Sequence, residues 1–284
     1  MTSDERVSVI VPTYGRHDRL SAALLSAARQ LTSSDEILVI DDGSEPPIDI
    51  EGLGPIEPDV RLIRNHVNLG PASARNTGLR NAKNGLIAFL DSDDLWLDGK
   101  LAAQREIVGR HRDALVAIVC GWQDTSNDRV VRQRVPVPSS SRSDFFAGCW
   151  FCPGSTLLIR RDAFEICGQF AEGLRRLEDF EWFLRFALAG GRVQVADMIG
   201  ASVARGGNAR REAIEAAARL IADRLETVGA TKGERANLHA YLDLERAVAH
   251  LNVSEKMHAA FYLARSLYRR PRLRLQLQDW WRLP

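Results

Sequence analysis

The chain has 284 residues, 45% of them hydrophobic and 26% charged, with a formal net charge of +1. This is the composition of a soluble globular protein, and the near-neutral balance excludes bulk electrostatic binding of nucleic acid. Four cysteines make no disulfide framework in a chain this long, and no stretch reaches the ~18 uninterrupted apolar residues of a membrane-spanning helix.

The opening MTSDERVSVIVPTY lacks the charged-then-apolar layout of a secretion signal, so a cytoplasmic protein is expected. Val7 to Val11 is a nearly continuous apolar run, as in a strand covered on both faces. Pro12 breaks it, and Tyr14-Gly15 completes a turn. His17 to Leu31 carries Leu20, Ala23, Leu24, Ala27, Ala28 and Leu31 at helical spacing. Glu36 to Ile40 reads as a second strand, closed by Asp41-Asp42-Gly43-Ser44, and Arg61 to Arg64 as a shorter third. Pro71 to Ala82 reads as a helix with proline near its first turn. Leu86 to Leu90 is a fourth strand, ending at once in Asp91-Ser92-Asp93-Asp94. Short strands alternating with helices predict an α/β fold, a mostly parallel Rossmann-like sheet with helices on both faces.

The rhythm changes after Lys100. A helix runs to about His111 and a strand from Leu115 to Cys120, while Gln123 to Ser143 reads as irregular and polar. Thr156 to Arg160 reads as a strand, Asp162 to Cys167 as a short helix ending at Gly168, and Phe180 to Ala189 as a longer one ending at Gly190-Gly191. Glu212 to Val228, Glu234 to Leu251 and Ser254 to Tyr268 are helical. A boundary at Gly206-Gly207 divides a catalytic domain, residues 1–207, from a C-terminal helical extension, residues 208–284.

Buried strands deliver side chains to the crevice at the carboxyl edge of a parallel sheet. Carboxylates massed there repel one another and are costly to desolvate. A divalent cation, magnesium or manganese, resolves both problems with hard oxygen ligands. A solvated acidic turn is the alternative, and D-x-D alone is short and common. Its companions are Pro12-Thr13-Tyr14-Gly15-Arg16 and Asp41-Asp42-Gly43-Ser44, also at strand ends. An aromatic ring suits stacking on a base, a carboxylate suits base or ribose, and arginine suits phosphate. Together they read as a nucleotide site with a metal, built without G-x-G-x-x-G or a phosphate loop.

The ordered series resembles glycosyltransferase family 2, inverting nucleotide-sugar transferases on the GT-A fold. The residues that carry the resemblance are VSVIVPTYGR, VIDDGS, Asn68 to Gly78 (N-x-G-x-x-x-A-R-N-x-G), LIAFLDSDD, Pro153 to Arg161 with Gly168-Gln169-Phe170, and Leu177-Glu178-Asp179-Phe180-Glu181-Trp182. It spans about residues 6 to 205. The resemblance implies that Pro12, Thr13, Tyr14, Arg16 and Asp42 contact the nucleoside, with Asp41 structural. It places Arg75 near the nucleotide, Asp91 and Ser92 near its ribose or the donor sugar, and Asp93 on a divalent metal, Mn2+ or Mg2+, bridging the diphosphate. Asp179, in the E-D motif, would be the general base, with Glu178 and Trp182 on the acceptor side. Glu178 and Asp179 also suit the N-terminus of the helix they open. The implied donor is a UDP- or dTDP-sugar, with guanine left open, and the implied acceptor a hydroxyl of a glycan or lipid-linked glycan.

One departure stands out. Family members often carry a histidine after the last strand of the domain, whereas this stretch is Ser202-Val203-Ala204-Arg205-Gly206-Gly207-Asn208. Arg205 suits diphosphate directly, which would lessen reliance on the metal. The six histidines show no ligand spacing and read as structural or surface; His250 and His258 lie too far apart for one helix turn. Cys149-x-x-Cys152 has no second pair and reads as apolar packing beside Trp150 and Phe151.

The tail from Tyr262 to Pro284 mixes Arg265, Arg269, Arg270, Arg272, Arg274 and Arg282 with leucines, Trp280 and Trp281. Arginines beside tryptophans suit peripheral contact with an anionic membrane at its inner face. A helix docked on the catalytic domain, or a homodimer contact, accounts for the same pattern. Against the transferase reading stand a catalytically silent module of the same fold and a nucleotidyltransferase. The latter would carry a glycine- and lysine-bearing phosphate loop that VPTYGRHDRL is not.

Overall fold

Val7–Thr13 (β1), Glu36–Asp41 (β2) and Leu86–Phe89 (β4) are apolar on both faces because each face is covered. Val7, Val9, Val11, Ile37, Val39 and Ala88 pack under His17–Ala28 (α1) and Lys100–Arg110 (α3). Ile10, Leu38, Ile40, Ile87 and Phe89 point the other way, toward Pro71–Asn81 (α2) and Glu178–Leu188 (α6). The computed structural model describes residues 5–15, 17–50, 57–151, 154–204, 211–226, 229–270 and 281–282.

β1 lies parallel between β2 and β4, pairing Val9 with Ile37 on one side and with Ala88 on the other. Asp59–Arg64 (β3) extends the parallel half beyond β2. On the far side Leu158–Arg160 (β8) runs antiparallel to β4 and to Val116–Ser126 (β6). Arg192–Ala204 (β9) pairs parallel with β6, and its end pairs antiparallel with Leu95–Trp96 (β5). α2 presses close on β1: a Cβ at Gly78 would lie 2.3 Å from an Ile10 methyl. Only glycine fits there.

The structure corrects the reading of residues 123–143 as irregular. β6 continues to Ser126, turns at Asn127 (φ 49°) and Asp128 (φ 59°), and returns as Arg129–Pro136 (β7). Asn and Asp tolerate that left-handed turn. Most of β7 is exposed, so its sequence carries no apolar alternation to announce it. Arg142–Ala147 (α4) closes the stretch, capped by a reciprocal Ser141–Asp144 box. β9, thirteen residues long, is likewise not announced by the sequence; its register shifts against Cys120 and Gly121 break the period-2 signal.

Arg211–Glu226 (α7), Lys232–Asn252 (α8) and Lys256–Arg269 (α9) follow. Ala218, Ile221, Leu238, Tyr241 and Leu242 join the core that holds Phe180 and Phe183, and the Tyr241 and Phe180 rings lie 4.7 Å apart. Glu234 caps α8 with Thr231 and accepts two hydrogen bonds from Arg142, each 2.9 Å. Asp243, fully buried, accepts hydrogen bonds from Arg246, Arg265 and Arg269, clamping α9 on α8. The boundary at Gly206-Gly207 lies outside the described residues, as do Arg16, Cys152, Arg205, Arg272, Arg274 and Trp280.

Candidate active site

β1, β2 and β4 end on one edge, and their loops open a cleft of about 740 Å³. Pro12, Thr13, Tyr14, Asp42, Arg75, Asp91, Ser92, Asp93 and Glu178 all line it. Tyr14 is exposed at the rim, whereas the Thr13 hydroxyl is buried and has no hydrogen-bond partner among the described residues. A buried hydroxyl left unpaired in a cleft is an available donor for a ligand.

Asp41 and Asp42, adjacent in sequence, have different partners. Asp41 accepts hydrogen bonds from the backbone N–H groups of Ser44 and Ile48, turning the chain after β2. Asp42 accepts from Asn65, from the Leu69 N–H and from the Gly70 N–H. It thereby fixes the loop leading into α2 while still lining the cleft.

Arg75 is the centre of the floor. Its Nη1 donates to Glu178 Oε1 at 2.6 Å and lies 3.7 Å from Asp179 Oδ1, while its Nη2 donates to Asp91 Oδ1 at 2.9 Å. Phe89 and Phe170 approach the same guanidinium at 6.0 and 5.9 Å. Three carboxylates around one cation leave excess negative charge. Burial, Glu178 and Asp91 accordingly push the Asp179 carboxyl up to about 7, against the pull of Arg75. A carboxylate with that value is suited to accept a proton near neutral pH.

Asp94 behaves differently from Asp91 and Asp93. It is buried, accepts from Ser155 Oγ at 2.6 Å and from the Ala204 N–H at 3.0 Å, and burial with the Asp91 charge holds its carboxyl well above the ordinary range. Ser155 Oγ also accepts from the Asp91 N–H. Asp94 thus ties the loop after β4 to the end of β9. The D-x-D pattern alone gives no sign of this role.

Asp91 and Asp93 supply hard oxygen donors to the cleft, and the Asp91 side chain is 36% exposed. That donor chemistry fits a magnesium or manganese ion. The acceptor-side expectation for Trp182 is corrected: it is fully buried, donates to the Gly168 carbonyl, stacks with Phe186 and packs at a tilt against Phe164. Every turn of α6 faces core, so its aromatics are packing. Trp150 and Phe151 are buried likewise. The cleft also contains Arg175 and Arg176, which sequence reasoning passed over, and Asn68, which opens the N-x-G segment; Arg175 donates to Asn68 Oδ1 at 2.9 Å. The doublet Arg175-Arg176 just before the E-D motif is the signal that could have found them.

Histidine pairing is a second correction. The turn between α8 and α9 brings His250 and His258 face to face, ring centroids 5.2 Å apart, with His250 Nδ1 2.6 Å from Glu255 Oε2. Arg211 takes the other Glu255 oxygen, and Arg246 pairs with the neighbouring Glu215. The cluster reads as an ion-pair knot joining three helices.

Residues 8–167 match the family description "Glycosyl transferase family 2". The chain belongs to glycosyl transferase family 2. Among relatives, UDP-Glc:alpha-D-GlcNAc-diphosphoundecaprenol beta-1,3-glucosyltransferase WfgD of Escherichia coli is 39% identical over 101 residues, 36% of this chain. The chain spans only 40% of that protein's length. Succinoglycan biosynthesis protein ExoW of Rhizobium meliloti is 30% identical over 216 residues, 69% of this chain and 68% of ExoW. Crystal structures of S. aureus TarS 1-349 share the fold. One superposes with a TM-score of 0.66 at 20% identity, over 96% of this chain and 82% of that one. Another, in complex with UDP-GlcNAc, gives 0.64 at 18% identity, over 96% and 92%. The family 2 chain described here therefore has the GT-A architecture, with the cleft above on the carboxyl edge of its parallel strands.

Proposed function

We propose that this chain is an inverting glycosyltransferase. It moves a sugar, a hexose by our reading, from a nucleoside-diphosphate donor, UDP- or dTDP-linked, to a hydroxyl of a glycan or lipid-linked glycan. The observation that carries this is the Arg75 knot, which holds Asp91, Glu178 and Asp179 around one guanidinium at the cleft floor. Family membership supports the donor class, and the UDP-GlcNAc complex of TarS and the diphosphoundecaprenol acceptor in the WfgD name support its partners.

In this reading the nucleoside lies against Tyr14 and Thr13, whose unpaired hydroxyl meets it, with Asp42 and Arg16 alongside. Asp91 and Ser92 face the ribose or donor sugar. Asp93 would hold a magnesium or manganese ion, whose charge offsets that of the departing diphosphate. Arg205 would add a guanidinium to the same phosphates. Asp179 takes the proton from the acceptor hydroxyl as that oxygen attacks the anomeric carbon, and the bond to the diphosphate breaks on the opposite face. Arg75 holds Asp179 in place and limits how far its carboxyl rises. Glu178, held by the same guanidinium, contributes charge. Residues 1–207 would form the catalytic domain, acting in the cytoplasm.

Calorimetric titration of UDP, dTDP and GDP, each with manganese and with chelator, tests the reading. Micromolar binding of one diphosphate, metal-dependent in the wild type and metal-independent in Asp93→Ala, is the expected result. Binding of none of the three would sink the transferase.

A further inference from the structure

α9 is built inside out. Its inner side is polar: Arg265 and Arg269 reach Asp243 on α8, and the Ser266 hydroxyl donates to the Ala240 carbonyl. Its outer side is apolar. Met257, Ala260, Phe261, Ala264, Leu267 and Tyr268 recur at spacings of three and four and so share one face. Met257 is 87% exposed, Phe261 57%, Leu267 41% and Tyr268 89%. A helix that turns arginines inward and aromatics outward cannot owe that pattern to its own core. Leu251, in the last turn of α8, and Val253, its C-cap, are also exposed.

Charge separates the occupants that an apolar face admits. From Lys256 to Arg269 the helix contains three cations and no carboxylate; Arg265 and Arg269 share the single Asp243 with Arg246, which leaves excess positive charge, and Arg272 and Arg274 are next in sequence. A second copy would set two cationic, carboxylate-free helices against each other. An anionic bilayer complements both features, accepting the aromatic face at the acyl boundary and the cations at the headgroups. We propose that the outer face of α9 is a docking surface for an anionic lipid membrane. Met257, Phe261, Leu267 and Tyr268 enter the interface, while Lys256 meets headgroups. Arg265 and Arg269, by contrast, hold the helix to the protein through Asp243. This reading does not depend on the transferase assignment, and its test uses no nucleotide.

The full chain is sedimented with vesicles of phosphatidylcholine alone and of phosphatidylcholine with one-third phosphatidylglycerol. Wild-type protein should pellet with the anionic vesicles and be released by high salt. The triple variant Met257→Ser, Phe261→Ser, Tyr268→Ser should bind at least tenfold more weakly. A second readout guards against misfolding: Tyr268→Cys and Val131→Cys, each carrying an environment-sensitive fluorophore, are mixed with the same vesicles. A blue shift at position 268 and none at 131, an exposed position on β7, supports the proposal. Wild-type protein left in the supernatant overturns it, as does an equal response at both positions. It is also overturned if the wild type is a dimer by sedimentation velocity, the triple variant a monomer, and neither binds vesicles.

Discussion

Arg75 and Glu178 are 103 positions apart, yet Nη1 and Oε1 meet at 2.6 Å. The contact joins α2, on the nucleotide side of the cleft, to the first turn of α6, where the proposed base lies. The same guanidinium reaches Asp91 after β4. Three chain segments therefore depend on one buried cation, and removing one partner of such a pair is far costlier than the pair itself is stabilising.

Arg75→Met should cost ~3–5 kcal/mol by urea denaturation at pH 7, because it leaves Glu178, Asp91 and Asp179 without their cation. The loss should shrink below pH 7, where Asp179 takes up its proton and less negative charge is left without its cation. A loss that does not change with pH would mean that Arg75 matters through packing alone.

Asp179 gives two pH signatures. If it is the base, transfer at saturating donor should rise through about pH 7 and level off above, and Asp179→Asn should abolish transfer while leaving UDP affinity within about threefold. Stability carries the opposite sign. A carboxyl raised in the folded state from 3.8 to about 7 favours folding at low pH and takes that stability away as pH rises between those values. Asp179→Asn should therefore melt above wild type at pH 8, by at most ~4 kcal/mol, and match it near pH 3.5.

Asp94 accepts two hydrogen bonds in a buried setting. Asp94→Asn keeps an acceptor for the Ala204 N–H and offers an amide N–H to Ser155 Oγ, so its Tm should stay within a few degrees of wild type. Asp94→Ala leaves the buried Ser155 hydroxyl and the half-buried Ala204 N–H without this acceptor and should cost ~1–3 kcal/mol, most of it at Ser155. Differential scanning calorimetry of both variants separates a hydrogen-bonding role from a need for negative charge.

Burial alone would raise the Glu234 carboxyl, but Arg142 and Thr231 outweigh it and hold it at about 2. Its stabilisation is complete above the ordinary value of 4.5 and fades as pH falls toward 2. Glu234→Gln should be less stable than wild type by ~1–3 kcal/mol at pH 7, with a visibly smaller gap at pH 3. Chemical denaturation at the two pH values measures it.

What the sequence announces and what it conceals follow from burial. β1, β2 and β4 are legible because both faces are covered, which leaves apolar runs that stop at charged turns. α1 and α2 follow from their apolar spacing and a leading proline. β7 is hidden because its arginines and valines are solvated and its pairing comes from the backbone of β6. Trp182 misleads because an aromatic beside an acidic pair looks like a ligand platform, when its neighbours Phe164 and Phe186 enclose it. His250 and His258 are eight positions apart, a spacing that misses the turn which stacks them. Asp94 is indistinguishable from Asp93 in a string of acids; only Ser155 and Ala204, 61 and 110 positions away, set it apart.

The core shared by Phe180, Tyr241 and Leu242 bears on how such a protein can be cut or recombined. Residues 8–167 define the family, but a fragment ending there lacks α6, and one ending at 207 lacks the helices that cover Phe180. Either piece would present bare aromatics to water and aggregate. Grafting a different acceptor specificity onto this scaffold therefore means exchanging cleft loops in place, with α7 and α8 retained as part of the folding unit.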